Sequence, residues 1–317
     1  MVKKKVLVTG GNGYIGSRLC LFLANQGYAV TPLCYPEAPS DKIWIAQMDS
    51  VIVGDVRDEK FLSKIAESRY DILIHLVSLD HHQSNGSPSY VSTVNITPTW
   101  SLLDIFSKHG LGKFIYFSTM QVYGTPLAMK ITEHQKPSTQ NAYALTHLVG
   151  ELICEHYHRT SSTDCCVIRL SNSYGAPIFK ENNCWWLVVN ELCRTAYLNQ
   201  KIILQSDGTP QRDFIHGWDV CRAVQKIIET KASHTTYNLS SGKTLSIMEI
   251  ALIIQKIYVQ RYGRKLQIKT AAVKMNATLN SYQIDNKLIR SIGYEPEWNL
   301  ELGINDLFSF LEQNNDK

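Results

Sequence analysis

The sequence predicts an α/β fold in which a doubly wound parallel sheet is joined to a smaller α/β lobe in the C-terminal half. Three observations support this prediction. Strand and helix patterns alternate through the first half of the chain, a glycine-rich turn follows the first strand, and the alternation loosens after Gly175. The 317 residues contain no internal repeat and no low-complexity tract, so nothing indicates a repeat architecture.

Short apolar runs predict the strands of the first half, and longer amphipathic runs predict its helices. We expect strands at residues 5–9, 29–34, 50–53, 71–76, 113–118 and 165–170. We expect helices at residues 14–26, 59–67, 90–108 and 142–159. This order is typical of a parallel sheet with helices on both faces.

The second half mixes helix and strand patterns less regularly. The predicted helices cover residues 185–199, 218–230, 246–262 and 302–313. The predicted strands cover residues 201–204, 237–239 and 266–269. We therefore expect a second lobe assembled from several segments.

A glycine turn follows the apolar run at residues 6–8. Gly10, Gly13 and Gly16 have the spacing that allows a tight turn, a close approach to a pyrophosphate and close packing of the next helix on the sheet. The N–H groups at the start of that helix would face the phosphate. The turn predicts a Rossmann-type, dinucleotide-binding domain. We expect this domain over residues 1–175, where the alternation is regular, with a returning segment near 212–240. We expect residues 176–317 to form the second lobe, as a substrate-binding lobe.

Composition excludes several other classes of protein. The chain has 44% hydrophobic and 19% charged residues and a formal net charge of +4, without a long basic cluster, so we expect no nucleic-acid partner. No apolar run reaches membrane-spanning length and the N-terminus reads as a strand, so we expect no membrane partner. The eight cysteines show no Cys-x-x-Cys pair, which predicts reduced thiols in the cytoplasm.

Further motifs follow the glycine turn in a fixed order. They are Thr9-Gly-Gly-Asn-Gly-Tyr-Ile-Gly16, Gly54-Asp-Val-Arg-Asp58, His75-Leu-Val-Ser78, Asn95, Ser118-Thr-Met-Gln-Val-Tyr-Gly124, Tyr143, Arg169-Leu-Ser-Asn172, Gln211-Arg-Asp-Phe214, Asp219-Val220 and Tyr237-Asn238. In these motifs the chain resembles the extended short-chain dehydrogenase/reductases, the group of nucleotide-sugar epimerases, dehydratases and reductases. The resemblance covers nearly the whole chain. It implies an NAD or NADP cofactor, a nucleotide-diphosphate sugar as substrate and a homodimer.

The resemblance also implies which residues contact the cofactor. These residues are Gly10, Gly13, Tyr14, Ile15, Gly16, Asp55, Val56, Leu76, Ser78, Tyr143 and His147. Asp55 would bind the adenine amino group, and a simple surface turn is the alternative. Residues 33–35 read Leu-Cys-Tyr and lack the carboxylate that binds the ribose hydroxyls in NAD enzymes, which favours NADP over NAD. Arg18 or Lys42 would then reach the 2′-phosphate, unless both are ordinary surface charges.

Thr119 and Tyr143 resemble the catalytic hydroxyl pair of the family. Tyrosine transfers a proton to or from the sugar oxygen while hydride moves at the carbon, and threonine orients that oxygen. The family pattern continues as Tyr-x-x-x-Lys, whereas this chain has His147 at the lysine position. Without a fixed cation the tyrosine pKa would be about 1–3 units higher. Either a modified catalytic pair favours reduction, or the chain binds its ligands without turnover.

The resemblance places the substrate on His81, Thr119, Asn172 and Arg212. Arg212 would clamp the diphosphate, and His81 is an active-site candidate with loop polarity as the alternative. Asp213 is expected to be structural. No residues complete a metal site beside the histidines, so no metal is expected.

Other positions limit the choice of reaction and of nucleotide. Met120-Gln121 replaces the Asp-Glu pair of the family's 4,6-dehydratases, which disfavours dehydration. Residues 274–276 lack the second arginine that relatives often carry there. Of Trp185 and Trp186, one could stack on a nucleobase, and at least one is expected in the core.

The predicted activity is hydride transfer on a nucleotide-diphosphate sugar, with reduction of a 4-keto group as the first choice. A 4-epimerase that holds NAD tightly is the alternative enzyme. The alternative that is not an enzyme is a protein that binds the cofactor without turnover. The histidine at position 147, where the family has lysine, is the only observation that supports it.

Overall fold

The computed structural model describes residues 3–125, 129–230, 236–271 and 282–314. The expectation about residues 274–276 falls outside these residues. The first elements are β1 (Lys5–Thr9), α1 (Tyr14–Asn25), β2 (Ala29–Cys34), α2 (Lys42–Ile45), β3 (Ile52–Val53), α3 (Glu59–Ala66), β4 (Ile72–His75), α4 (Pro88–Asn95), α5 (Thr97–Lys108), β5 (Lys113–Thr119), β6 (Lys130–Ile131), α6 (Ala142–Thr160) and β7 (Asp164–Leu170). They are followed by β8 (Asn172–Tyr174), α7 (Val188–Asn199), β9 (Lys201–Leu204), β10 (Gln211–His216), α8 (Gly217–Glu229), β11 (Thr236–Leu239), β12 (Thr244–Ser246), α9 (Ile247–Tyr262), β13 (Gln267–Thr270), β14 (Gln283–Ile284), α10 (Lys287–Ser291) and α11 (Leu300–Gln313).

The central sheet confirms the predicted α/β fold. Its strands are parallel and lie in the order β3-β2-β1-β4-β5-β7-β11. The direction of strand addition reverses between β1 and β4, and in open parallel sheets the ligand crevice lies at the carboxyl ends of the strands at such a point. Strand β11 joins this sheet beside β7, although it follows the second-half elements in the chain.

Alternation along each strand places apolar side chains on both faces of this sheet. Val6 and Val8 of β1 pack into a core with α1 and α8, whereas Leu7 packs into a second core with α3, α5 and α6. Helices therefore cover both faces of the central sheet.

Several elements of the second half form a third core, which we call the C-terminal core. Its fully buried members include Val189 of α7, Ile202 of β9, Ile254 of α9 and Phe308 of α11. Strand β10 pairs with β8 and β12, and β9 pairs with β13. The proposed domain boundary at residue 175 stays a prediction.

Three predicted elements differ clearly in their bounds from the observed ones. The helix expected over 90–108 is two helices, α4 and α5, which meet at Ile96. Pro98 lacks an N–H and its ring would collide with the carbonyl four residues back, so a continuous helix is disfavoured. The helix expected from 185 begins at Val188, and the strand expected over 50–53 contains only Ile52–Val53.

All eight cysteine side chains are buried thiols, as expected for a chain without disulfides. Cys20 and Cys166 belong to the core around α1, and Cys193 belongs to the C-terminal core. No helix among the described residues is long and apolar enough to cross a membrane.

Candidate active site

The glycine turn has the geometry that a pyrophosphate requires. Gly10 has φ +70°, and its carbonyl accepts the N–H of Gly13 at 3.0 Å. A Cβ at residue 16 would lie 2.1 Å from the Gly10 oxygen, so only glycine fits. Gly11 is equally constrained, because a Cβ there would lie 2.4 Å from Pro32 Cβ. The sequence analysis did not assign a role to Gly11, although the Gly-Gly doublet was visible.

The start of α1 offers N–H groups to an anion. No side chain caps this end, and its first turn carries no acidic residue. The uncapped start of the helix therefore fits a dinucleotide pyrophosphate.

Tyr14 connects the glycine turn to the chain beyond the central sheet. Its hydroxyl donates to the Gly175 carbonyl at 3.0 Å. The side chain of Asn190 in α7 accepts the N–H of the same glycine and donates to its carbonyl, at 3.0 Å each. Asn182 also donates to the Asn12 carbonyl at 2.9 Å. The Tyr14 side chain is thus occupied in fixing Gly175.

Arg18 does not face the cofactor crevice, so the expectation that it reaches a 2′-phosphate is wrong. Its side chain is 1% exposed, donates to the Ala176 carbonyl, and lies over the rings of Tyr14 and Trp218. Helix α8 covers this side of α1, so Arg18 is buried although it was expected at the surface. Lys42 is exposed at the start of α2.

Asp55 presents a carboxylate near the end of β3. It forms an ion pair with Arg57, whose Nε donates to Oδ1 at 2.9 Å. The hydrogen bond from Arg57 lowers the Asp55 pKa, so the group is an ionised acceptor at neutral pH.

The ends of β1 and β4 are joined by a polar contact that the sequence analysis did not identify. Thr9 Oγ1 lies 2.7 Å from His75 Nδ1 and accepts the N–H of Leu76 at 3.3 Å. Burial lowers the His75 pKa to about 3. This neutral pair fixes the strand ends beside the glycine turn.

Thr119 and Tyr143 meet at the carboxyl end of β5. Asn141 caps α6 by accepting the N–H of Ala144 at 2.8 Å, which sets Tyr143 in the first turn. Burial raises the Tyr143 pKa to about 12, against the opposing effect of its hydrogen bond with the Thr119 side chain. Asp80 adds to the increase by repelling the phenolate. Tyr143 is therefore protonated at neutral pH.

His147 lies beside Tyr143 on the same face of α6. It is 4% exposed, and the two ring centroids are 4.4 Å apart with an interplanar angle of 73°. Its Nε2 lies 3.2 Å from Ser78 Oγ, and its Nδ1 lies 3.1 Å from Tyr116 Oη. Burial lowers the His147 pKa to about 4, although the Phe117 carbonyl opposes this change. The position expected to carry lysine in the family thus holds a neutral ring.

A buried ion pair lies one turn further along α6. Arg169 of β7 donates to Glu151 through Nη2 at 2.6 Å and through Nε at 3.0 Å, and both side chains are 7% exposed. Ser118 also donates to Glu151, and Arg169 reaches the Tyr123 hydroxyl at 2.8 Å. The sequence analysis matched Arg169 only as part of a motif and did not identify this pair.

The residues expected on the diphosphate side lie on neighbouring strands. Asn172 of β8 donates to the Asp213 carbonyl at 2.8 Å, and Arg212 is an exposed side chain next to Asp213 on β10. Asp213 is structural, as predicted, because its buried carboxylate accepts the N–H groups of Ser241 at 2.9 Å and Lys243 at 3.0 Å.

The structure brings some expected substrate residues together and leaves others apart. Thr119 joins Tyr143, whereas His81 is exposed and stacks on His82 with centroids 5.1 Å apart. Trp185 packs against the C-terminal core, as expected for one of the pair, and Trp186 is exposed. Among the described residues no group of three or more His, Cys, Asp or Glu side chains could hold a metal ion.

The parallel sheet, the glycine turn and the hydroxyl pair define a Rossmann-type dinucleotide-binding protein. A model of the NAD dependent epimerase/dehydratase family matches residues 6–240. The chain belongs to this family of extended short-chain dehydrogenase/reductases, and the NAD(P) cofactor follows from that membership.

Two curated relatives illustrate the range of the family. UDP-glucose 4-epimerase 2 of Arabidopsis thaliana is 28% identical over 342 residues, covering 98% of this chain and 96% of the relative. A dTDP-glucose 4,6-dehydratase of Streptomyces niveus is 27% identical over 265 residues, covering 80% of this chain and 77% of the relative.

Solved structures share the fold over nearly the whole chain. The UDP-glucose 4-epimerase of Thermotoga maritima with UDP-glucose has a TM-score of 0.85 at 22% identity, covering 98% of this chain and 99% of that one. The UDP-glucuronic acid 4-epimerase of Bacillus cereus with UDP-glucuronic acid and NAD has a TM-score of 0.81 at 24% identity, covering 98% and 100%. At these identities the likeness shows the fold.

Proposed function

We propose that this protein is an NAD(P)H-dependent reductase of the 4-keto group of a nucleotide-diphosphate sugar. The observation that carries the proposal is the buried imidazole of His147, whose ring centroid lies 4.4 Å from that of Tyr143 where a fixed cation was expected. Tyr143 has a pKa raised to about 12 and is protonated, and His147 has a pKa lowered to about 4 and is neutral. A protonated phenol without a neighbouring cation suits proton donation to a ketone better than proton removal from an alcohol.

The substrate class is supported by the relatives and by two exposed polar side chains, Asn172 of β8 and Arg212 of β10. The relatives are named for UDP- and dTDP-sugars. Arg212 is exposed on β10, and a planar guanidinium suits a diphosphate. We assign Arg212 and Asn172 to the diphosphate and Thr119 to the sugar oxygen, with His81 as a further substrate contact from the adjacent loop.

Each residue of the site has a definite task in the proposed reaction. The glycine turn would hold the pyrophosphate, Asp55 and Val56 would bind the adenine end, and Leu76, Ser78 and His147 would contact the nicotinamide half. When bound in its reduced form, the dinucleotide would supply a hydride for the carbonyl carbon.

Proton transfer completes the reduction. Thr119 orients the carbonyl oxygen and Tyr143 transfers its phenolic proton to that oxygen as the alcohol forms. The resulting Tyr143 phenolate takes up a proton from solvent before the next turnover.

A 4-epimerase is the second candidate, because several curated relatives carry that name. An epimerase must oxidise as well as reduce the sugar, so Tyr143 would have to act as a base in one half of the cycle. Such an enzyme retains its dinucleotide and consumes none. The third alternative is a protein that binds both ligands without turnover.

The phosphate form of the cofactor remains a separate proposal. NADP is favoured because neither Cys34, the last residue of β2, nor Tyr35, which follows it, carries a carboxylate. Since Arg18 is buried, Lys42 is the remaining candidate for the 2′-phosphate. Calorimetric titration with NADPH and NADH measures the preference.

The first prediction tests the reaction. The protein should oxidise NADPH or NADH in the presence of a nucleotide-diphosphate 4-keto sugar, with a mass gain of two hydrogens in the sugar. Tyr143→Phe should lower turnover by about 100-fold or more, because it removes the positioned proton donor, while cofactor affinity stays within about twofold. Absorbance of the reduced cofactor and mass spectrometry measure these quantities.

Tyr157→Phe is the matched control for this prediction. Tyr157 lies on the same helix, and its hydroxyl donates to Asp104 at 3.2 Å, away from the site. Its turnover should equal that of the wild type. Interconversion of a nucleotide sugar without net cofactor consumption would establish the epimerase instead, and cofactor binding without turnover on a broad panel would establish the third alternative.

We also propose a homodimer formed through α5 and α6. These helices pack together and leave Trp100, Leu145 and Leu152 exposed on their outer faces. Leu145 and Leu152 are seven residues apart, which places them on the same face of α6. We propose a cytoplasmic location as well, because buried thiols suit a reducing compartment.

A further inference from the structure

His147 has a side-chain partner at each ring nitrogen and also a hydrogen bond with the Phe117 carbonyl, which requires an N–H on the ring. The contact with Ser78 indicates which nitrogen carries it. Ser78 Oγ donates its own proton to the Leu79 carbonyl at 2.9 Å. With its proton placed there, the same oxygen, 3.2 Å from His147 Nε2, accepts a hydrogen bond from the ring. This arrangement favours Nε2 as the nitrogen that carries the hydrogen of the neutral ring.

The other nitrogen must then accept a hydrogen bond. A neutral imidazole has one N–H and one bare nitrogen, so Nδ1 is bare when Nε2 is protonated. Tyr116 Oη lies 3.1 Å from Nδ1 and is the donor to it. Burial raises the Tyr116 pKa, so its hydroxyl keeps the proton that this hydrogen bond needs.

The packing around Tyr116 leaves its hydroxyl little freedom. Tyr116 is buried on β5, directly below α6. A Cβ on Gly150 of α6 would lie 2.3 Å from the Tyr116 hydroxyl oxygen. Glycine inside a helix costs about 1 kcal/mol relative to alanine. At this position it provides the space that the Tyr116 hydroxyl fills.

We propose that Tyr116 is a positioning residue that holds His147 in the Nε2–H tautomer, with this N–H directed towards Ser78 and the cofactor crevice. The inference rests on the proposed function, in which Ser78 and His147 contact the nicotinamide half of the dinucleotide. Lysine at residue 147 would present N–H donors in any rotamer. A neutral histidine has its N–H at Nε2, on the side of Ser78, only when Nδ1 is bare and accepts a hydrogen bond.

The tautomer is measured directly by nitrogen NMR of ¹⁵N-histidine-labelled, ligand-free protein. Comparison with His147→Gln assigns the His147 signals among the ten histidines. The wild type should show a protonated Nε2 and a bare Nδ1. Tyr116→Phe should show a mixture of both tautomers, because the donor to Nδ1 is gone.

Cofactor affinity supplies the second measurement. Tyr116→Phe should weaken binding of the dinucleotide by about fivefold, the size expected for one misdirected hydrogen bond. Tyr174→Phe is the matched control, since Tyr174 is an equally buried tyrosine whose hydroxyl donates to the Asn299 carbonyl at 3.0 Å. It should leave both the tautomer and the affinity unchanged.

Two results would overturn the inference. One is a wild-type spectrum with the proton on Nδ1, which needs no variant to fold. The other is a Tyr116→Phe protein that matches Tyr174→Phe in both tautomer and affinity. Because the spectrum requires no turnover, a protein that shows the Nε2–H tautomer but reduces no sugar contradicts only the proposed function.

Discussion

Burial determines the charge of the two adjacent side chains at the site. Tyr143 and His147 are both neutral at pH 7, because removal from water penalises the phenolate and the imidazolium alike. Among the causes that shift the Tyr143 pKa, none is a cation of the described chain. The pair therefore depends on hydrogen bonds rather than on charge for its orientation.

His147→Lys should restore a cation and change the pH dependence of the reverse reaction. Oxidation of the product alcohol needs the Tyr143 phenolate, so its rate rises with pH through the Tyr143 pKa. A cation stabilises the phenolate and lowers that pKa, which should shift the rising limb to lower pH by about 1–3 units. Initial rates of alcohol oxidation between neutral and alkaline pH measure the shift.

His147→Gln is the control for this change, because it keeps hydrogen-bonding capacity without charge. Its rising limb should stay where the wild-type limb lies. If the lysine and glutamine variants give the same profile, Tyr143 does not titrate in the rate-limiting step.

At the residue scale, some members of the site were predictable from the sequence and others were not. Thr119 and Tyr143 were predictable from their motifs. The partners of His147 were not, because Tyr116 is 31 residues away in the chain and Ser78 is 69 residues away. Arg18 was placed on the wrong side of its helix, since nothing local indicates that α8 covers it.

Helix α6 carries the site and its support on one face. Tyr143, His147 and Glu151 follow each other at intervals of four residues, so a single helix orientation positions all three. The pair of Glu151 with Arg169 ties this face to β7 directly below the catalytic pair. The orientation of α6 thus depends on a buried charge pair.

Glu151→Leu should destabilise the fold by about 3–5 kcal/mol, because it leaves the buried guanidinium of Arg169 without its counter-charge. Urea denaturation followed by circular dichroism measures the loss. Glu155→Leu removes the partner of Arg159 from the same helix, where both side chains are mostly exposed, and should cost about 0–1 kcal/mol. Equal effects of the two substitutions would show that the Glu151–Arg169 pair does not hold α6.

Elements with strong periodicity were predictable, and short ones were not. The strands β1, β2, β4, β5 and β7 lie where apolar runs placed them. The three-residue strand β8 and the two-residue strands β6 and β14 form by pairing with distant segments, which leaves no periodic pattern in their own sequence. Helix α5 could have been separated from α4 by the proline at its start.

At the scale of the whole molecule, hydrogen bonds to the backbone at residue 175 link the glycine turn to the C-terminal core. The Gly175 carbonyl accepts hydrogen bonds from Tyr14, at the start of α1, and from Asn190, in α7. The glycine turn and the C-terminal core therefore share one fixed peptide. Sequence motifs indicate each part but not this junction, because its three residues are widely separated in the chain.

The proposed dimer gives the prediction at this scale. Leu145→Glu combined with Leu152→Glu should raise the dimer dissociation constant by about tenfold or more, because it places charges in an apolar contact. Light scattering coupled to size-exclusion chromatography measures the mass. Leu198→Glu with Leu302→Glu alters two exposed leucines outside α5 and α6 and should leave the dimer intact. A wild-type protein that is monomeric at micromolar concentration would contradict the proposal.

The eight buried thiols make the native fold inert to thiol reagents. Burial raises the pKa of every one of them, so both the reactive thiolate and its access to solvent are suppressed while the chain stays folded. Alkylation then requires a local opening of the fold, so the rate of alkylation measures local unfolding. The alkylation rate of Cys20 reports on opening of the core around α1, and that of Cys193 reports on opening of the C-terminal core. The stability of the two regions can therefore be measured separately without an added label.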